Sequence, residues 1–204
     1  MSKESWNLRY RASDYVYGKE PNAFLKEKLP SLEPQRVLFA CEGEGRNSVF
    51  AAQLGWKVTA FDQSEAGKAK AEALASEKNV SIDYLVSSVD ELVLPENSFD
   101  LLVLIYVHFP KDVRHSYYKR FLSFLKPGGK LIVEGFASGH ENYQAIHSNI
   151  GGPRDTSMFL RATDAEKDFP GMNFTYLKEQ EAELSEGEGH LGKGWVLRIE
   201  GVKK

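Results

Sequence analysis

Val37-Leu38-Phe39-Ala40-Cys41-Glu42-Gly43-Glu44-Gly45-Arg46-Asn47-Ser48 is the stretch on which the reading of this chain turns. Val37–Cys41 is an apolar run of the kind a buried strand shows, and a glycine-rich turn follows it directly. Asn47–Leu54 then reads as a helix, closed by Gly55. Glycines at 43 and 45 permit positive φ and let a ligand approach the main chain closely. The helix start offers unpaired N–H groups and the positive end of a dipole. Asp62 stands 17–19 residues beyond these glycines, after the next predicted strand, Lys57–Phe61. A carboxylate there can accept hydrogen bonds from two ribose hydroxyls. Strand, glycine turn, helix, strand and acid together read as a nucleoside-binding βαβ unit.

The alternation continues outward from this unit. Ser64–Glu77 is rich in Ala, Lys and Glu, with Ser64 placed to cap a helix, and Ser81–Val86 is a third strand. Phe99–Val107 is continuously apolar, as a strand covered on both faces is. Asp112–Leu125 is an amphipathic helix stopped by Lys126-Pro127-Gly128-Gly129, and Lys130–Phe136 is strand-like. This pattern predicts an α/β fold with a mainly parallel sheet. Beyond Gly139 a polar stretch passes Gly151-Gly152-Pro153 to a helix expected around Ser157–Lys167. Strands near Phe174–Leu177 and Trp195–Val202 would form an antiparallel pair. Residues 1–30 lie outside the alternation and carry Trp6, Tyr10, Tyr15 and Tyr17, with a short helix at Asn22–Lys28. They are read as an aromatic arm that covers a sheet edge or closes as a lid, with 31–204 as the main domain.

Composition narrows the function. Lys+Arg 26 against Asp+Glu 29 leaves a net charge of -3, without the basic excess of a duplex binder, so nucleic acid is not an expected partner. Cys41 is the only cysteine among 204 residues, which excludes an intrachain disulfide framework and any multi-cysteine metal site. The longest apolar run, Leu101–Val107, is too short to span a bilayer, and the polar start is unlike a signal peptide. The expectation is a cytoplasmic protein with no membrane partner.

Glu42 and Glu44 favour one kind of ribose ligand. Two carboxylates around the loop repel a dinucleotide pyrophosphate, by about 1 kcal/mol or more per close pair. They suit S-adenosylmethionine, whose ammonium and sulfonium prefer nearby acids while its carboxylate could use the loop amides. Ser48 also replaces the small residue that dinucleotide binders carry at the third fingerprint position.

With these features in place, the chain resembles the class I S-adenosylmethionine-dependent methyltransferases, and within them the small bacterial group related to tellurite-resistance and thiopurine methyltransferases. The matching stretches are Tyr17-Gly18-Lys19-Glu20-Pro21-Asn22, Glu42–Ser48, Val58–Asp62, Leu94–Asp100, Leu125–Gly129, Gly151-Gly152-Pro153, and Glu186-Gly187 with His190 and Gly192. They extend over nearly the whole chain. The resemblance implies a Rossmann-like three-layer sandwich with a mostly parallel seven-stranded sheet whose last strand is antiparallel. It places Gly43 and Gly45 at the methionine part of the cofactor, Asp62 at the ribose and Gln63 at the adenine edge. Ser88 and Val89 fall where the family supplies an Asp and a main-chain N–H to adenine, with Asp90 as a rival, and Ile105 and Tyr106 would face the sulfonium. Phe39 stands where the family commonly carries an acid, and Glu42 or Glu44 could compensate near the ammonium.

Methyl transfer from a sulfonium is an in-line displacement, which asks chiefly for alignment and a dry pocket. A general base is needed only where the nucleophile starts protonated. The resemblance to tellurite-resistance and thiopurine methyltransferases suggests a small soft nucleophile as acceptor, such as a thiol or a reduced chalcogen oxyanion. Tyr17, Arg46, His108, Arg154 and His190 are the substrate-side candidates, and Arg114 is a further cation. Each also has a purely structural reading: His108 as a loop cap, Arg46 as a counter-charge to Glu42 or Glu44, Arg154 and Arg114 as surface arginines, His190 as a brace between the last two strands. Two other functions stay open at this point. One is a non-catalytic module of the same fold that binds cofactor or supports a partner. The other is a nucleotide-dependent oxidoreductase, disfavoured by the loop acids.

Overall fold

The computed structural model describes residues 2–147 and 149–204. Seven strands, β1 (Arg36–Ala40), β2 (Lys57–Asp62), β3 (Asp83–Val86), β4 (Phe99–Ile105), β5 (Leu125–Phe136), β6 (Met172–Glu186) and β7 (His190–Lys203), form one sheet in the order β3-β2-β1-β4-β5-β7-β6. β1 with β2, β2 with β3 and β4 with β5 are parallel, and β7 runs antiparallel to β5. Helices α1 (Lys3–Tyr10), α2 (Ala23–Lys28), α3 (Arg46–Gln53), α4 (Glu65–Glu77), α5 (Lys111–Phe124), α6 (His140–Ile146) and α7 (Ala165–Asp168) accompany it. This is the mixed, mostly parallel sheet the sequence predicts. The chain divides into two compact units, Met1–Leu94 with Glu186–Glu188, and Pro95–Ser185 with Gly189–Lys204.

In unit 1, Val37, Leu38, Phe39 and Ala40 are all buried, so β1 shows no in-out alternation, as a strand covered on both faces requires. Each Leu or Phe removed from water in this way contributes about 1.5–3 kcal/mol. α4 buries Ala71, Leu74 and Ala75, and the Ser64 hydroxyl accepts from Gly67 N to cap it. α1 lies along α4: Asn7 Oδ1 accepts from Ser64 Oγ at 2.7 Å and Ala66 N at 3.1 Å, and Lys3 pairs with Glu65. The arm thus supplies the second acceptor at the start of α4. The tip Glu186–Glu188 of the β6–β7 hairpin belongs to this unit.

In unit 2, β4 buries Leu101, Leu102, Val103 and Leu104 in succession. Tyr118 of α5 is fully buried, stacks on Phe169 and donates its hydroxyl to Val107 O at 2.8 Å. Phe136, Ile150, Phe159, Ala182, Leu184 and Val196 form a separate cluster.

Several expected boundaries shift. α5 ends at Phe124, and Leu125 already pairs with Phe99, so Lys126–Gly129 forms an irregularity inside β5. The helix expected around Ser157–Lys167 breaks into two 3-10 turns, Thr156–Met158 and Ala162–Asp164, and the four-residue α7. Tertiary contacts override its propensity. Phe159 and Leu160 are buried, Arg114 donates to Phe159 O at 3.0 Å, and Leu160 bridges Ala137 in extended conformation. β6 runs 15 residues, far longer than Phe174–Leu177, and α1 and α6 occupy stretches without a clear apolar period.

Candidate functional site

The glycine loop of unit 1 is built on strain and on internal charge pairing. Cys41, directly after β1, holds φ 52 without being glycine. Such a conformation costs about 1–3 kcal/mol and persists where the surroundings demand it. Burial pushes the Cys41 thiol well up. Glu42 then folds back onto the helix: its Oε1 accepts from Asn47 N at 3.0 Å and from Ser48 N at 2.7 Å. The anion site expected at the start of α3 is filled by the chain's own carboxylate. Burial raises that carboxyl to about 7 although both amides and Arg46 oppose the shift.

Glu44 is also committed, accepting from Val16 N at 2.9 Å and from Lys70 Nζ at 2.7 Å. Arg46, buried at the start of α3, does not pair with either loop acid. It binds Glu186 Oε2 at 2.7 Å and Tyr17 O at 3.3 Å. Asn22 Nδ2 donates to the other oxygen of Glu186 at 2.8 Å, and Asn47 Oδ1 accepts from Asn22 N. The arm turn and the hairpin tip meet closely: a Cβ on Gly187 would lie 2.5 Å from Val16 O and 2.6 Å from Gly18 N. Two of the motif stretches, Tyr17–Asn22 and Glu186-Gly187, are therefore one assembly. Both terminal nitrogens of Arg46 are thus engaged within the chain, and Tyr17 takes Arg9 on its hydroxyl at 3.1 Å.

Asp62 sits at the end of β2, nearly buried. One oxygen accepts from Ser64 N at 2.8 Å and the other from Gly43 N at 3.2 Å. A carboxylate has about four acceptor sites, so room remains for hydroxyl donors. Burial raises Asp62 to about 6 against those backbone hydrogen bonds. Gln63 beside it is half-buried. Ser88 uses its hydroxyl on Glu91 Oε2 at 2.8 Å, Val89 is buried and Asp90 is exposed. These groups fit S-adenosylmethionine better than a dinucleotide. The acid that closes the helix start repels a pyrophosphate and tolerates a sulfonium and an ammonium, while Asp62 suits a ribose.

Unit 2 carries a second, more tightly tied group. Tyr106, just beyond β4, is half-buried and also holds a positive φ of 55. Its N–H donates to Glu134 O at 2.7 Å and its hydroxyl to Glu134 Oε1 at 2.8 Å. Glu134 is almost wholly buried and pairs with Arg198. An acid inside the apolar run Leu131-Ile132-Val133-Glu134 was the signal in the sequence that could have singled it out. The Tyr106 ring lies 4.2 Å from that of His190, which is buried, and Ile105 is half-buried.

His108 accepts from Phe136 N at Nε2, 3.1 Å, and its Nδ1 donates to Met158 O at 3.1 Å. His140 likewise accepts from Trp195 N at Nδ1 and donates from Nε2 to Gly151 O. Burial lowers both histidines to about 4. Arg154 is exposed and makes no hydrogen bond or ion pair among the described residues. Arg114 is buried against Asp168 at 3.0 Å and Asp164 at 3.5 Å. No cluster that could hold a metal ion, and no helix long and apolar enough to cross a membrane, occurs among the described residues.

Residues 37–129 match the methyltransferase domain family. The chain is 29% identical over 168 residues to the ubiquinone biosynthesis O-methyltransferase of Xanthomonas oryzae pv. oryzae, covering 80% of this chain and 69% of that protein. A structure from work on the conversion of a disulfide bond into a thioacetal group during echinomycin biosynthesis superposes with a TM-score of 0.80. It is 17% identical and covers 99% of this chain and 91% of that one. TehB from Haemophilus influenzae superposes with a TM-score of 0.70 at 18% identity, covering 99% and 67%. At these identities the structural likeness is one of fold.

Proposed function

We propose that the chain is an S-adenosylmethionine-dependent methyltransferase of the class I fold, and that its acceptor is a small molecule that arrives already nucleophilic, a thiolate or a reduced chalcogen oxyanion. The observation that carries this reading is the condition of His108 and His140. Both ring nitrogens of each are bonded to the main chain, and both rings stay neutral down to about pH 4. Neither can take a proton without breaking a backbone hydrogen bond, so an acceptor that needs deprotonation finds no base in them. The sulfur chemistry of the echinomycin structure supports the same class.

When bound, the cofactor supplies a methyl group on a sulfonium, open to in-line displacement. Asp62 would hold the ribose hydroxyls, Gly43 and Gly45 would let the methionine part lie against the loop, and Glu42 would keep an acid near the cationic centre. Gln63, Ser88 and Val89 would border the adenine, with Ile105 and Tyr106 toward the sulfonium. Of the substrate-side residues, His190 and Arg154 stay in the proposal. Arg46, Tyr17 and His108 act through the contacts described above.

A second reading, methylation of an acceptor oxygen, is favoured by the likeness to the ubiquinone biosynthesis O-methyltransferase. The two separate in an acceptor panel followed by S-adenosylhomocysteine release. Turnover of thiols, selenite or tellurite, with a pH profile following the acceptor's own ionisation, supports the first. Turnover of catechols alone overturns it. Tight cofactor binding without turnover of any acceptor would favour the non-catalytic module.

A further inference from the structure

Several donors around the glycine loop are committed inside the chain. The amides of Asn47 and Ser48 go to Glu42, and the Arg46 guanidinium goes to Glu186 and Tyr17 O. Lys70 goes to Glu44 and to Asp14 O, and the Tyr84 hydroxyl donates to Gly43 O at 2.6 Å. The carboxylate of the methionine part, the strongest acceptor on the cofactor, thus loses the partners that a helix start or an arginine would ordinarily offer it.

Among these side chains Tyr10, the last residue of α1, differs. It is 5% exposed, and its ring stands in a slot between two glycines. A Cβ on Gly67 would lie 3.2 Å from its Cδ2, and a Cβ on Gly43 would lie 2.7 Å from its hydroxyl oxygen. That hydroxyl makes no hydrogen bond to any described residue. It is not among the sealed side-chain polar atoms of the described residues that lack a hydrogen-bond partner, so part of its surface is open to solvent. The helix that carries it is held in place by Asn7 on α4 and by Trp6 stacked on the Tyr10 ring at 5.2 Å. A donor held in place over the glycine loop and bonded to no described residue is available to a ligand. Burial and the nearby Asp62 also keep the phenol protonated.

We propose that Tyr10 is a cofactor-binding residue whose hydroxyl donates to the carboxylate of S-adenosylmethionine, making α1 a wall of the cofactor site. This rests on the cofactor reading above. The test is calorimetric titration of wild type and Tyr10→Phe with S-adenosylhomocysteine and with 5′-methylthioadenosine, which lacks the amino-acid carboxylate. Tyr10→Phe should bind S-adenosylhomocysteine about tenfold more weakly. It should bind methylthioadenosine as wild type does, and its thermal midpoint without ligand should be unchanged, because the hydroxyl has no partner in the free protein. Equal affinity for S-adenosylhomocysteine in both proteins overturns the proposal. So does tighter binding by the variant, which would make Tyr10 a plug. A parallel loss for both ligands overturns the carboxylate assignment. A wild-type chain that binds neither ligand brings down the cofactor reading itself.

Discussion

Around the glycine loop of unit 1, burial raises Glu42 to about 7 and Asp62 to about 6, whereas in unit 2 it lowers His108 and His140 to about 4. The cause is the same, loss of water around a charge, and the consequences are opposite. The unit 1 acids have folded values above their ordinary range. Their cost is therefore absent below about pH 4 and complete above about pH 7. The unit 2 histidines have folded values below the ordinary 6.5, so the stability they contribute is present above 6.5 and lost as pH falls toward 4. The histidines have both ring nitrogens satisfied and act as neutral braces. The acids keep acceptor capacity in reserve at a strained loop, the arrangement of a site that waits for a ligand.

The sharpest way to break this contrast is Glu134→Ala. It leaves the half-buried Arg198 guanidinium without its carboxylate and the Tyr106 hydroxyl without its acceptor, and should destabilise the fold by about 3 kcal/mol in denaturant titration. A loss below 1 kcal/mol would show that unit 2 does not depend on its buried network. Asp62→Ala should instead register on the ligand. Affinity for S-adenosylhomocysteine should fall about thirtyfold as two ribose hydrogen bonds go. In the wild type that affinity should rise with pH through about 6, as Asp62 becomes the ionised acceptor. A pH-independent affinity would remove Asp62 from the ribose.

The smallest expected effect is the most diagnostic. Glutamine at position 42 keeps an acceptor oxygen for Asn47 and Ser48 and sheds the buried charge. Glu42→Gln should therefore stabilise the free protein by about 1–2 kcal/mol at pH 8, with the gain vanishing near pH 5. Destabilisation at pH 8 would mean that the charge itself holds the start of α3.

Much of this was legible before any coordinates. The apolar run 37–41, the glycine turn and Asp62 mark their elements because periodicity and turn chemistry are local. The broken helix at 157–167 was not legible, because Arg114 and Ala137 hold Phe159 and Leu160 from outside the segment. Tyr10 was visible only as one of several arm aromatics. Its slot between Gly43 and Gly67 exists only once α1 lies on α4.

The division follows from range. Strand and helix patterns, the glycine-rich loop and the family resemblance are written in residues a few positions apart, where backbone geometry alone relates them. The assignment of charges is not. With 26 basic and 29 acidic side chains, composition permits a great many pairings. Only packing chose Glu186, 140 residues away, as the partner of Arg46, and turned Glu42 onto its own helix. Tertiary structure decided which charges were neutralised within the chain, because burying a charge is tolerable only where a partner is already in place.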